Sequence, residues 1–346
     1  MKHSEDPRVA QIIDANLDRA REGLRVLEDW ARFGLGREDV VKEIKNYRQI
    51  LGRNHLKDYK EARNYHPDIG MGLSHPEQLK RDKIEDIISS NSARVQEALR
   101  VIEEFARIRH SELALSASKI RYETYQLEIL LLKSNMREVN KQKLIDNNLY
   151  FITSNTSNLI KQVQNMLDCG VKIIQYRFKD SNDLENINNA INLKELCKKY
   201  EALFIVNDRL DIALASDADG LHLGQEDLKI EHARRILGPS KIIGLSAHSE
   251  VEITKALKHE IDYLGIGPIF KSTTKKGNPP LGIEKIKFIT KEITIPWFAI
   301  GGVNSQNITA LKRNNINKVA VISDLNSSDK SKEKAIMIIK TLSNEN

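Results

Sequence analysis

The 346-residue chain predicts a (β/α)8 TIM barrel preceded by an all-α helical domain with an internal duplication. Three observations carry this prediction. Eight short β-prone runs between 149 and 323 alternate with mostly amphipathic stretches, the pattern of parallel strands joined by crossover helices. Nearly every run ends in polar residues or glycine, as a barrel whose active site lies at the C-terminal ends of its strands requires. Upstream, two long helical patterns match each other at an offset of 75 residues.

The helical half comes first. In segment 8–33 the apolar positions Ile13, Leu17, Ala20, Leu24, Leu27 and Ala31 recur every three or four residues, marking one buried helix face. Segment 83–109 repeats the pattern and many identities: Asn16 matches Asn91, Arg19 matches Arg94, Glu22 matches Glu97, Arg25 matches Arg100 and Glu28 matches Glu103. Amphipathicity fixes residue class but not identity, so these matches indicate a duplication within a bundle. The matched polar residues are either a salt-bridged helix face or an anion pocket built from Arg19, Arg25, Arg94 and Arg100. The stretch 59–76, with His66 and His75, reads as a loop over such a pocket. The predicted domains are 1–125 and 126–346, and the break falls inside the helix-like stretch 112–146.

The eight runs follow in order: LYFIT (149–153), VKIIQYRF (171–178), LFIVN (203–207), GLHL (220–223), KIIGLS (241–246), DYLGIG (262–267), WFAIGG (297–302) and KVAVIS (318–323). Alternate side chains of a strand share a face, so Gln175, Arg177 and Lys179 point one way and Tyr176 and Phe178 the other. Two cations and an amide at a barrel mouth suit a multiply charged anion such as a diphosphate; a salt-bridged lining is the alternative. Asp208 and Asp227 follow neighbouring strands. Two carboxylates beside such a site suit Mg²⁺, a hard ion that also takes phosphate oxygens and water; helix capping is the alternative. Gly301-Gly302 after the seventh run, with Ser323 after the eighth, suits a backbone phosphate site or a plain turn. The loop KSTTKKGNPP (271–280) is long enough to close over a ligand, or else is a surface loop.

Composition narrows the classes. Hydrophobic residues make up 40% and charged residues 29%, an ordinary globular balance. No run of about 18 apolar residues predicts a membrane span. The start, MKHSEDPRVAQIID, lacks an apolar signal core, and Cys169 and Cys197 read as small buried hydrophobes; both point to the cytoplasm. The net charge is +6. Residues 1–125 hold 23 basic and 22 acidic residues, which argues against a nucleic-acid module there. The excess lies in 126–346, with 31 against 26.

Residues from about 126 onward resemble the thiamine-phosphate synthase family. The resemblance rests on QYRFKD (175–180), VNDR (206–209), DGLHLGQEDL (219–228), GLSAHS (244–249), GIGPIFKSTTKKG (265–277), AIGGV (299–303) and VAVIS (319–323), in that order. It implies condensation of 4-amino-2-methyl-5-(diphosphooxymethyl)pyrimidine with 4-methyl-5-(2-phosphoethyl)thiazole, giving thiamine phosphate and diphosphate. The implied route is dissociative and assisted by Mg²⁺. Carried over by position, Gln175, Tyr176, Arg177, Phe178, Lys179 and Asn207 contact the pyrimidine diphosphate, and Asp208 and Asp227 bind the metal. Ser246 holds the pyrimidine and Lys275 the diphosphate. Ser272, Thr273, Thr274, Gly302, Ile322 and Ser323 hold the thiazole phosphate. Lys271-Ser272 replaces the usual Pro-Thr, and Phe178 stands where Glu is common. The helical half resembles an extension found on some bacterial members. It is read as a pyrimidine-phosphate kinase-like or non-catalytic module, and it has no glycine-rich phosphate loop.

Rival readings are a thiazole tautomerase-like barrel, which needs neither the diphosphate cations nor both aspartates, and a phosphosugar isomerase or epimerase using His222 and His248 as acid and base. The expected partners are the two small phosphorylated substrates, with no nucleic acid and no membrane; a homo-oligomer stays open.

Overall fold

The computed structural model describes residues 6–63, 65–67, 80–178, 182–271, 279–291, 293–326 and 330–343. It separates into two compact units, Met1–Asn135 and Met136–Asn346. This division, like the sequence-based one at 125/126, falls inside a single helix, Ser111–Asp146.

The first unit is helical: α1 (Pro7–Asp29), α2 (Glu38–Arg53), α3 (Lys57–Glu61), α4 (Ile84–Ala106) and α5 (Ser111–Asp146). Asp6 starts α1 by accepting from the Arg8 N–H at 2.9 Å, with Pro7 at the first helical position, where its missing N–H costs nothing. A five-residue π-helical turn, Trp30–Gly34, follows α1. The expected loop from residue 59 begins instead inside α3, whose Tyr59 is fully buried; His75 lies outside the described residues. The predicted apolar stripes of α1 and α4 meet in one core, where Ile13, Leu17, Leu24, Val95, Leu99 and Ile102 are fully buried. Gly23 permits the close crossing, since a Cβ there would lie 2.7 Å from Val95 Cγ2.

The duplication has structural counterparts. Asn16 and Asn91 each donate to the carbonyl four residues back, both at 2.8 Å. Glu28 and Glu103 are both buried, and each takes an arginine from a neighbouring helix, Arg48 of α2 and Arg121 of α5. Two of the four arginines of the anion-pocket reading are paired along their own helices, Arg25 with Asp29 and Arg100 with Glu103 and Glu104. An exposed arginine reaches a carboxylate one turn away at little entropic cost, so the salt-bridged-face reading holds for these two.

The second unit is a closed barrel of eight parallel strands in sequential order: β1 (Leu149–Ile152), β2 (Ile173–Tyr176), β3 (Leu203–Asn207), β4 (Gly220–Leu223), β5 (Ile242–Ala247), β6 (Tyr263–Ile266), β7 (Trp297–Ala299) and β8 (Val319–Val321). The eight predicted runs correspond to these strands one for one. Side chains alternate between two cores. Phe151, Ile174, Phe204, Val206 and Ile243 pack outward under the helices, while Tyr150, Ile173, Ile205, Ile242, Tyr263 and Phe298 fill the barrel. Leu144, near the end of α5, joins that inner core. Among the described residues no helix is long and apolar enough to cross a membrane.

One electrostatic cluster belongs to the first repeat alone. Asp14, nearly fully buried, accepts from His55 Nε2 at 2.6 Å and from Arg63 Nε at 2.6 Å. Burial raises the Asp14 pKa, but the hydrogen bonds from Arg63 and His55 outweigh it and hold the carboxyl below its ordinary 3.8. A depressed carboxylate stabilises the fold above its unfolded pKa and loses that contribution as the pH falls through the folded value. Asp14→Asn should therefore destabilise the helical unit by about 3 kcal/mol at pH 7, and the gap to the parent should close below pH ~4. Urea titrations followed by Trp30 fluorescence in a Trp297→Phe background measure both.

Candidate active site

The C-terminal ends of the strands open into a cavity lined by Gln175, Arg177, Asn207, Ser246 and Ile322 among the predicted residues. β2 delivers Gln175 and Arg177 to the same side, as its alternation predicts. Thr153, just past β1, fixes the backbone there: its Oγ1 accepts from the Arg177 N–H at 3.0 Å and donates to the Arg177 carbonyl at 3.2 Å. Among the described residues the Arg177 guanidinium meets no carboxylate. Arg209, by contrast, is held by Asp183 and Asp211.

Tyr176 and Phe178, both in the expected contact set, line a second pocket together with Arg177 and Ser154. Their side chains pack in the helical layer, with Tyr176 OH donating to Asn186 Oδ1 at 3.1 Å and the two rings 4.8 Å apart.

To the predicted His222 and Ser246 the floor of the cavity adds Tyr150, Tyr263 and Phe298, which the strand-end pattern does not single out. Tyr150 and Tyr263 approach to 2.9 Å through their hydroxyls, and both pack edge-on against Phe298. His222 Nδ1 lies 2.9 Å from Tyr263 OH, and its Nε2 lies 2.9 Å from Ser246 Oγ. Gln175 Nε2 donates to Tyr150 OH at 2.8 Å. Two glycines make room for the rings. A Cβ on Gly244 would fall 2.1 Å from Tyr263 Cζ, and one on Gly265 3.3 Å from His222 Cε1. Alternation alone marks the two tyrosines as inward-facing, since Tyr150 shares a strand face with Ile152 and Tyr263 with Gly265.

The rim carries the carboxylates. Asp208 and Asp227 are both exposed and follow the adjacent strands β3 and β4. Asp208 sits in the left-handed region at φ 60°, and its N–H donates to the His222 carbonyl at 2.8 Å. Asp227 Oδ2 accepts from the Gly224 N–H at 2.6 Å. Neither caps a helix, for the capping positions of the following helices are Arg209 and Lys229. Among the described residues no three His, Cys, Asp or Glu side chains cluster as a metal cage. Two exposed carboxylates on neighbouring strands fit Mg²⁺, which keeps several waters and takes one or two carboxylates together with substrate phosphates. Gly301 (φ 91°) and Gly302 (φ 69°) follow β7 in a backbone conformation suited to glycine, and the Gly302 carbonyl is tied by Asn307 Nδ2 at 2.8 Å. Ser323 begins the short helix Ser323–Asn326. Lys179, Ser272, Thr273, Thr274 and Lys275 lie outside the described residues.

His222 and His248 do not form a free acid–base pair. His222 is engaged at both ring nitrogens, and His248 Nδ1 lies 2.6 Å from the Gly267 carbonyl.

A closed parallel barrel with a polar mouth over an aromatic floor defines a (β/α)8-barrel enzyme. The family model for thiamine monophosphate synthase matches residues 149–325, and that of the ThiD2 family matches residues 11–130. The chain is 58% identical over 345 residues to thiamine-phosphate synthase of Prochlorococcus marinus (strain AS9601), covering 100% of this chain and 98% of that protein. It is 44% identical over 340 residues to that of Synechococcus sp. (strain CC9311), covering 97% and 96%. The solved thiamine phosphate pyrophosphorylase from Pyrococcus furiosus superposes with a TM-score of 0.53 at 33% identity, covering 58% of this chain and 96% of its own. The chain therefore belongs to the thiamine-phosphate synthase family, transferases of thiamine biosynthesis.

The two glycines give a graded test of the floor. Gly244→Ala should lower barrel stability by about 1–3 kcal/mol, because the ring of Tyr263 has to move. Gly265→Ala, with 3.3 Å to His222, should cost less. Denaturant midpoints of the two variants check the order.

Proposed function

We propose that the barrel makes thiamine phosphate by a dissociative condensation. The C–O bond between the pyrimidine methylene and the diphosphate breaks first, and the diphosphate keeps the electron pair. The resulting pyrimidine-methyl cation is captured by the lone pair of the thiazole nitrogen, forming the C–N bond and releasing thiamine phosphate and diphosphate. The observation that carries this reading is Arg177. It is a guanidinium at the mouth of a barrel cavity, delivered on the same strand face as Gln175, and it meets no carboxylate among the described residues. A fixed cation at that place stabilises charge as it develops on the leaving group.

Gln175, Tyr176, Phe178 and Asn207 add contacts to the pyrimidine diphosphate, and Ser246 meets its pyrimidine ring. Mg²⁺, held by Asp208 and Asp227, supplies further charge stabilisation to the diphosphate oxygens when bound. Gly302 offers its backbone to the thiazole phosphate, with Ile322 and Ser323 beside it. Lys179, Ser272, Thr273, Thr274 and Lys275 keep the roles that the family resemblance gives them. The apolar floor around Phe298, Ile300 and Ala320 keeps water from a cation that water would quench. The step needs no side-chain nucleophile. A tautomerase acting on the thiazole phosphate alone would leave Arg177 and both aspartates without work.

For the helical unit, its own core and its match to a separate family model favour a role of its own, read as a pyrimidine-phosphate kinase-like or a binding activity.

Asp208→Ala and Asp227→Ala should each lower kcat by about 10²–10³-fold, and excess Mg²⁺ should restore little; full activity of the double variant would remove the metal assignment. Deleting residues 1–125 should leave condensation at the parental rate. A large loss in the shortened chain, with its barrel still folded by circular dichroism, would place the helical half in the condensation site.

A further inference from the structure

The cavity floor is a chain of hydrogen bonds with a direction. Its five side chains are nearly fully buried: Gln175 is 2% exposed, Tyr150 1%, Tyr263 0%, His222 7% and Ser246 9%. Buried polar groups of this kind pair with one another, and each phenol has one proton to give. The Gln175 amide nitrogen can only donate, and it donates to Tyr150 OH. The proton of Tyr150 therefore goes to its other partner, Tyr263 OH, at 2.9 Å. Tyr263, having accepted, gives its proton to His222 Nδ1 at 2.9 Å. An imidazole that accepts at Nδ1 carries its hydrogen on Nε2, so His222 donates to Ser246 Oγ at 2.9 Å. Ser246 has then accepted, and its own proton turns toward the cavity that it lines.

We propose that Tyr150 and Tyr263 are positioning residues that fix the Nε2–H tautomer of His222 and thereby hold the Ser246 hydroxyl as a donor, selecting a pyrimidine that presents a bare ring nitrogen over one that presents a ring N–H. The inference rests on the reading that Ser246 meets the pyrimidine ring. Burial raises the pKa of both phenols, so the chain keeps its protons across the working pH range. The glycines at 244 and 265 support it independently. Glycine weakens a strand interior, and here it stands where any Cβ would press on the rings of Tyr263 and His222.

The test uses the full-length chain labelled with ¹⁵N-histidine, with the His222 signals assigned from His222→Gln. The parent should show the Nε2–H tautomer at His222. Tyr263→Phe should convert His222 to a tautomer mixture and raise KM for the pyrimidine diphosphate by about tenfold, the weight of one neutral hydrogen bond, with kcat changed far less. The preference for the 4-amino substrate over its 4-oxo analogue, which carries a ring N–H, should fall by the same factor. In a Ser246→Ala background Tyr263→Phe should add nothing further. Tyr150→Phe, which leaves Tyr263 in place, should move tautomer and KM in the same direction and serves if Tyr263→Phe does not fold. An unchanged His222 tautomer in the folded variants would overturn the proposal, as would a KM change that persists without Ser246. Ser246→Ala with parental KM would instead overturn the reading of Ser246, while the tautomer signal still judges the chain of protons.

Discussion

A line of five polar side chains inside an apolar barrel is the constraint on which the rest of the second unit depends. Tyr150, Tyr263 and their neighbours occupy the inner core with Ile173, Ile205 and Ile242, where an unpaired hydroxyl or amide costs about 1–3 kcal/mol. Each member is satisfied by the next, so no one of them can turn without orphaning another. This fixes more than orientation. It leaves room for no side chain at Gly244 and little at Gly265, it seats Phe298 against two phenol rings, and it sets the depth at which Gln175 and Ser246 line the cavity. A floor locked in this way lets the strand ends above it carry loops without losing the placement of the cavity groups.

Charge is sorted along the barrel in a complementary manner. Acidic residues at strand starts are consumed by the fold. Asp219 accepts from the Phe204 N–H at 2.9 Å and from Lys194 at 2.5 Å. Asp262, fully buried, accepts from the Ile243 N–H at 2.8 Å and is flanked by Arg137 and Arg234. Such carboxylates need their partners, since a buried charge left single is strongly destabilising. At the opposite strand ends Arg177 points into the cavity and Asp208 and Asp227 stand exposed. The strand starts thus bury their carboxylates with their partners, whereas the strand ends leave Asp208 and Asp227 exposed, although Asp227 still accepts from the Gly224 N–H and Arg209 is paired with Asp183 and Asp211.

The sequence made the second unit legible because strand periodicity and strand-end chemistry are local properties. Eight runs matched eight strands, and the faces of Gln175 and Arg177 followed from alternation alone. The same alternation turns the rings of Tyr176 and Phe178 toward the helical layer, which a motif does not say, because a motif records neighbours in the chain and not faces. The pairing within the floor was illegible for the opposite reason. Tyr150, His222, Tyr263 and Ser246 come from four strands spread over about a hundred residues, and only barrel closure brings their hydroxyls and ring nitrogens within hydrogen-bonding distance. In the helical half the duplication was visible as identities, but whether its arginines converged or paired along their helices depended on carboxylates one turn away, Asp29 and Glu104, that the repeat comparison did not weigh.

The duplication itself separates what the helical fold requires from what only one half carries. Positions kept in both repeats have the same work in each: Asn16 and Asn91 bind back to their own helices, and Glu28 and Glu103 anchor an arginine from the next helix. The equivalent uses show that the duplicated positions do local work in their own helices and tie each repeat to a neighbouring helix. The group Asp14, Asp18, His55 and Arg63 has no such counterpart, because Ser89 and Ala93 stand 75 residues after the two aspartates. The second repeat packs without that group, so the duplicated core does not require it. The electrostatic individuality of the helical unit is thus concentrated around the start of α1, α3 and the residues just after it, and not on the arginine faces that the repeat makes conspicuous.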